Sequence, residues 1–283
     1  MRVVALLFLT LLTACGNDAL FMKSSRLQKL HGHPLQQTNT YEGTPVVFNG
    51  QQVNFEFLRD AHLVRVWDIE TGSLINQFAW DYGFGAAFVD SQVYIFGSDD
   101  SGQVIVERHS SDLVSWSADT VVMTASAGQR FFNVSVAHGQ TGYVLAYEVR
   151  ETANGIGDSF RMAVSTDLHN WNTIGDVFDH AYSACPVVRY VNGYYYVIYL
   201  VNEKNMFLSR IARSQDLITW EKSTEYVLEP DPGEGINTSD VDLYEWNGET
   251  MIYYYIGDQA TWGGLGIAKF SGSMKDFFEG YFK

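Results

Sequence analysis

Disulfide pairs, positive charge, proline and long apolar runs are all scarce in this chain, and each scarcity removes a class of protein. Its 283 residues include two cysteines, Cys15 and Cys185. No disulfide framework can be built from them, so a hydrophobic core must hold the domain together, and at this length it can. Lys and Arg number 18 against 33 Asp and Glu, a formal net charge of −15. A protein that neutralises phosphates needs a basic face, so a general electrostatic grip on nucleic acid is excluded. The apolar run from Val3 to Leu12 is ten residues long, half the roughly twenty that span a bilayer. No stretch has the length and period of an amphipathic helix. The seven histidines show no metal-site spacing. Gly263-Gly264-Leu265-Gly266 sits where a turn explains it better than a phosphate cradle. Aromatic residues, by contrast, are plentiful: 17 Tyr, 18 Phe and 7 Trp, with only 5 Pro. That balance suits many short, well-packed strands.

The amino terminus reads as an address. A basic start, Met1-Arg2, leads into the apolar run, which ends in Leu12-Thr13-Ala14-Cys15. This resembles the lipobox of bacterial lipoproteins, which implies a signal peptide over residues 1–14 and acylation of Cys15. Gly16 stands where lipoproteins retained at the inner membrane often carry Asp. The expectation is therefore a cell-envelope protein, on the outer membrane if the cell is Gram-negative, touching the membrane through its lipid anchor alone. Residues 15–40 are polar and aperiodic and read as a tether.

From residue 41 to 283 one pattern repeats. An apolar run closed by a two-residue turn occurs at Asn49-Gly50, Asp90-Ser91, His138-Gly139, Asn192-Gly193 and Asn247-Gly248. Asn-Gly between apolar runs marks a hairpin, because both turn positions need positive φ. The turns lie 41, 48, 54 and 55 residues apart, the length of a four-stranded propeller blade. A second repeat runs in step: Ser110-Ser111-Asp112-Leu113-Val114-Ser115-Trp116, Ser165-Thr166-Asp167-Leu168-His169-Asn170-Trp171 and Ser214-Gln215-Asp216-Leu217-Ile218-Thr219-Trp220. In each copy the Asp caps a tight turn, while Leu and Trp bury themselves between sheets. The first blade carries Asp68-Ile69-Glu70-Thr71-Gly72 instead, and the last a degenerate Ser273-Met274-Lys275-Asp276-Phe277. The predicted fold is all-β, a single five-bladed β-propeller.

Five blades with Ser-x-Asp-Leu-x-x-Trp hairpins resemble the propeller glycoside hydrolases of family 43 and its relatives in families 32, 62 and 130. The resemblance covers nearly the whole mature chain, and it implies acid–base hydrolysis of an oligosaccharide or polysaccharide. The family's general base, an Asp seven residues before the first turn, maps to Glu42. Its second-blade Asp falls near Gly85, and its general acid, a Glu before Gly-Pro, falls at Ala184-Cys185-Pro186. Two of the three family carboxylates are therefore not in their usual places. The alternative is a non-catalytic glycan-binding propeller on the same scaffold.

Glycoside hydrolysis needs an acid near the leaving oxygen and a second carboxylate as base or nucleophile. Positions seven residues before each turn ring the axis at one face, which selects Glu42, Gly83, Phe131, Cys185 and Asp240. Second strands climb back to that face and bring Asp99, Glu148 and Asp258 to its rim. The catalytic candidates are Glu148, at an apolar strand end where its pKa would rise, with Glu42 or Asp240. Asp81, Phe84, Asn133, Asp242, Asp258 and Trp262 are candidate substrate contacts. Cys185 reads as a small buried thiol. No cofactor is implied, although an acidic axis could take a structural calcium ion. A monomer is expected. The charge disfavours anionic substrates unless Arg59, Arg65, Arg130 or Arg189 supplies a local clamp.

Overall fold

The computed structural model describes residues 26–30, 42–151 and 154–282, the side chains of Glu42 and Ile156 excepted. The signal peptide and Cys15 lie outside the described residues. Five four-stranded antiparallel sheets form the five blades. The first described strand is β1 (Leu27–Leu30). Blade 1 holds β2 (Glu42–Phe48), β3 (Gln51–Leu58), β4 (Leu63–Asp68) and β5 (Leu74–Ala79). Blade 2 holds β6 (Ala86–Val89), β7 (Val93–Ser98), β8 (Val104–Ser110) and β9 (Thr120–Thr124). Blade 3 holds β10 (Gln129–His138), β11 (Tyr143–Glu151), β12 (Ile156–Ser165) and β13 (Asn172–Ile174). Blade 4 holds β14 (Ala184–Val191), β15 (Tyr194–Glu203), β16 (Met206–Ser214) and β17 (Glu221–Tyr226). Blade 5 holds β18 (Ser239–Trp246), β19 (Glu249–Gly257) and β20 (Gly263–Phe270), and its fourth strand is β1. One short helix, α1 (Met274–Glu279), follows, capped by Ser273.

That last pairing corrects the reading of residues 15–40 as tether throughout. Leu27 pairs with Phe270 and Leu30 with Ile267 in antiparallel register, so the amino-terminal strand closes the ring. Lys29 anchors it, donating to the Glu229 carbonyl at 2.7 Å and to the Glu234 carboxylate.

The repeated motifs do what their chemistry requires. Asn49-Gly50, Asn192-Gly193 and Asn247-Gly248 all have positive φ at both turn positions. In the outer turns Ser165 Oγ accepts from the N–H groups of Asp167 and Leu168, and Asp167 Oδ1 accepts from those of His169 and Asn170. The two other copies repeat this pattern. Each motif Leu sits at φ near +65° yet is buried. The hydroxyl and carboxylate lock a conformation that a leucine alone avoids.

Alternation then builds the core between blades. On β11, Leu145, Tyr147 and Val149 face blade 2, while Val144 and Ala146 face blade 4. Every junction has such a cluster, and the one between blades 5 and 1, built on Ile69, Tyr244, Tyr253, Leu265 and Ile267, is the smallest.

Candidate active site

The inner strands of blades 3, 4 and 5 share an irregularity. Each carries a bulge near its start, between Phe131 and Val134, Ala184 and Val187, and Ser239 and Asp242. A bulge inserts one residue and re-aims the side chains around it. Cys185 and Asp240 occupy equivalent bulge positions with φ of +48°. Left-handed backbone at a non-glycine residue costs about 1–3 kcal/mol, and such strain gathers where geometry serves function.

These bulges open onto a cavity of about 360 Å³ at the axis, lined by Arg59, Phe84, Asn133, Glu148, Tyr182, Cys185, Asp240, Gln259 and Trp262 among others. Glu148 keeps the parity of Val144 and Ala146, so it sits on the β11 face turned towards blade 4. It is only 5% exposed. One of its oxygens accepts from Asn133 Nδ2 at 2.8 Å and from the Cys185 backbone N–H at 2.9 Å. Burial raises its pKa to about 7; the two N–H donors oppose the rise, and the charges of Asp158 and Asp240 add to it. Asp240 accepts from Ser239 Oγ at 2.6 Å. Burial raises its pKa too, opposed by the Ser239 hydroxyl, the Cys185 thiol and the charge of Arg59. Cys185 thus bridges the two carboxyl groups, with its amide on Glu148 and its thiol on Asp240, and Asn133 Nδ2 stands 3.2 Å from its sulfur.

The structure brings Glu148, Asp240, Phe84, Asn133 and Trp262 to this one cavity. Glu42 opens β2 opposite Phe57, and its side chain lies outside the described residues. Asp242 lies lower, in a narrow shaft that continues from the cavity past Asn133, Cys185 and Asp240. There it is paired with Arg189, so that arginine serves a buried carboxylate.

Two expected contacts lie elsewhere. Asp81 is 80% exposed, beside His62 at 3.3 Å, and does not line the cavity. Asp258 caps its own turn, accepting from the N–H groups of Ala260, Thr261 and Trp262. The Thr261 hydroxyl and these amides hold its pKa well below the usual range, and its turn presents Trp262 to the cavity. Asp99 is likewise occupied, by Gln103 N–H and Ser101. Among the aromatics, Trp80 and Phe131 belong to inter-blade cores.

Sequence reasoning missed Tyr182 and Gln259, and of its four candidate clamps Arg59 is the one that lines the cavity. Its signal was an Arg just past the second strand of blade 1, the strand that climbs back to the cavity face. Among the described residues, no group of three or more His, Cys, Asp or Glu is arranged to hold a metal ion. Nor is any described helix long and apolar enough to cross a membrane.

Five four-stranded sheets in a ring define the class by fold, a five-bladed β-propeller. No protein-family profile and no curated sequence matches the chain. Solved structures do. A thermostable family-43 glycoside hydrolase superposes with a TM-score of 0.65 at 14% identity, over 80% of this chain and 87% of that one. The endo-arabinase from Bacteroides thetaiotaomicron gives 0.63 at 13% identity, over 83% and 95% of the two chains. The alpha-L-arabinofuranosidase from Lactobacillus brevis gives 0.63 at 11% identity, over 83% and 93%. At such identities the likeness is one of fold.

Proposed function

We propose that this protein is a glycoside hydrolase acting on an oligosaccharide or polysaccharide, with Glu148 as general acid and Asp240 as base or nucleophile. One observation carries the reading: two buried carboxyl groups share a cavity and are tied together by Cys185. Glu148, buried with a pKa of about 7, keeps its proton at near-neutral pH and can deliver it to the glycosidic oxygen. Burial raises the pKa of Asp240, but the Ser239 hydroxyl, the Cys185 thiol and Arg59 oppose that rise and supply partners for its ionised form. It can therefore act on the anomeric carbon or on a water. Trp262 and Phe84 offer flat faces for a sugar ring. Acylation at Cys15 would hold the enzyme at the cell envelope, where it would meet its substrate.

A second reading has its own support. Gly85 and Ala184 stand where the family resemblance expects carboxylates, which favours a propeller that binds glycans without cutting them. Release of p-nitrophenol from a panel of aryl glycosides, run beside Glu148→Gln and Asp240→Asn, decides between the two. The hydrolase reading expects turnover that drops by at least ~100-fold in either folded variant. Turnover equal to wild type in both variants removes these residues from the chemistry.

A further inference from the structure

The cavity wall at blade 1 carries a cation that the acid–base reading uses only through its charge on Asp240. Arg59 follows β3, in a one-turn 3-10 helix over Arg59–Ala61, and lines the cavity. Its guanidinium lies 4.3 Å from the centre of the Phe84 ring. Phe84 is in turn braced edge-on by Phe132 at 5.5 Å. The stem of Arg59 lies against Gly83. A Cβ at that glycine would fall 2.4 Å from Arg59 Cγ and 2.7 Å from its Cβ, so no other residue fits beneath it. The segment Tyr82-Gly83-Phe84-Gly85 is thus a seat for this side chain, at the place where the resemblance expects a second-blade carboxylate.

The other candidate clamps are already engaged. Arg65 lies 3.7 Å from Glu56 and donates to Gln77. Arg130 donates to the carbonyls of Asp100 and Ser101, and Arg189 is paired with Asp242. Arg59 forms no ion pair among the described residues. A guanidinium stacked on a ring presents a planar fork of donors, the geometry that matches a carboxylate. In a chain of net charge −15, an anion would gain nothing from the overall field, so its recognition must be local.

We propose that the cavity takes a sugar bearing a carboxylate, a uronic acid residue, with Arg59 gripping the carboxylate while Trp262 stacks on the ring. The proposal rests on the reading of this cavity as a sugar site, but not on hydrolysis. Glu148, about half protonated at pH 7, lessens the repulsion such a ligand would meet from the facing wall.

The test is calorimetric titration of the full chain carrying Glu148→Gln, so that ligands stay intact. The probes are the α and β anomers of p-nitrophenyl glucuronide and galacturonide, each against its neutral glucoside or galactoside. At least one uronide is expected to bind ~10- to 100-fold tighter than its neutral twin, an advantage that shrinks with salt. Arg59→Gln should erase that ratio while leaving the neutral twin's Kd within about 3-fold. Gly83→Ala, which displaces the Arg59 stem without changing any charge, should reduce it too. A uronide no better than its twin overturns the proposal, as does equal weakening of both ligands by Arg59→Gln, or no binding by any probe. Selective uronide binding without nitrophenol release from the wild-type protein would keep this inference and remove the hydrolase. Turnover of neutral glycosides alone would do the reverse.

Discussion

Replacing Glu148 by Gln should make the fold more stable in alkali and leave it nearly unchanged in acid. Buried as it is, this carboxyl holds its proton up to about pH 7, whereas in the unfolded chain it releases it near the ordinary value of 4.5. Between those values the folded state binds more protons than the unfolded one, so the Glu148 contribution to stability falls as pH rises through the window and is flat above it. The gap corresponds to about 3 kcal/mol, the cost of holding a buried charge above pH 7. Gln preserves an oxygen for the two N–H donors, Asn133 and Cys185, and carries no charge to desolvate. Urea unfolding of both proteins should therefore give a difference that grows from near its baseline at about pH 4.5 to about 3 kcal/mol in favour of the variant by about pH 8. Asp240 titrates in both proteins, so the difference reports Glu148 together with its coupling to Asp240. An offset that does not vary with pH would refute the burial argument, and with it the reason for assigning this residue as the acid.

Other outcomes follow from single contacts. Turnover should decline as pH rises through about 7, where Glu148 loses its proton, as read from kcat/KM against pH. Ser165→Ala removes the acceptor for two turn amides, Asp167 and Leu168, and should cost about 1–2 kcal/mol by urea unfolding. Gly248→Ala meets nothing within 4 Å, so its penalty should be the strain of φ +76° alone, about 1–2 kcal/mol in the same assay. Lys29→Ala leaves the Glu234 carboxylate, whose side chain is 10% exposed, without its cation, and should lower stability by about 3 kcal/mol.

The ring was legible because its signals are local. Asn-Gly turns and Ser-x-Asp-Leu-x-x-Trp motifs each solve a backbone problem within a few residues, and their spacing counts the blades. The site was legible only in part. Counting seven residues back from a turn found Cys185 and Asp240. In blade 3 it gave the core residue Phe131, because a longer loop follows β10 and the bulge brings Asn133 to the cavity. A bulge leaves no period-two signature. Asp258 and Asp99 looked like rim carboxylates because sequence does not distinguish an Asp that reaches for ligand from one that caps its own turn. Leu27–Leu30 escaped notice because four residues in a polar stretch carry too little pattern, and only the unpaired edge of β20 gives them a role. Arg59 gains its meaning from Gly83 and Phe84, on the neighbouring loop.

The way β1 completes blade 5 also sets the order in which this molecule can become whole. Arg26 donates to the carbonyl of Ser271 across 245 positions of sequence. Four blades can assemble from neighbouring hairpins as the chain emerges, but the fifth must wait until its last strand is made. Until then Leu27–Leu30 has no partner, and until the two strands pair β20 has an open edge, the surface on which two unfinished copies could exchange strands. Closing so long a loop is slow but adds only a logarithmic entropic cost. The smallest inter-blade core, around Ile69 and Tyr244, lies at this same seam. Unfolding should therefore start there, as the ring reopens where it last closed.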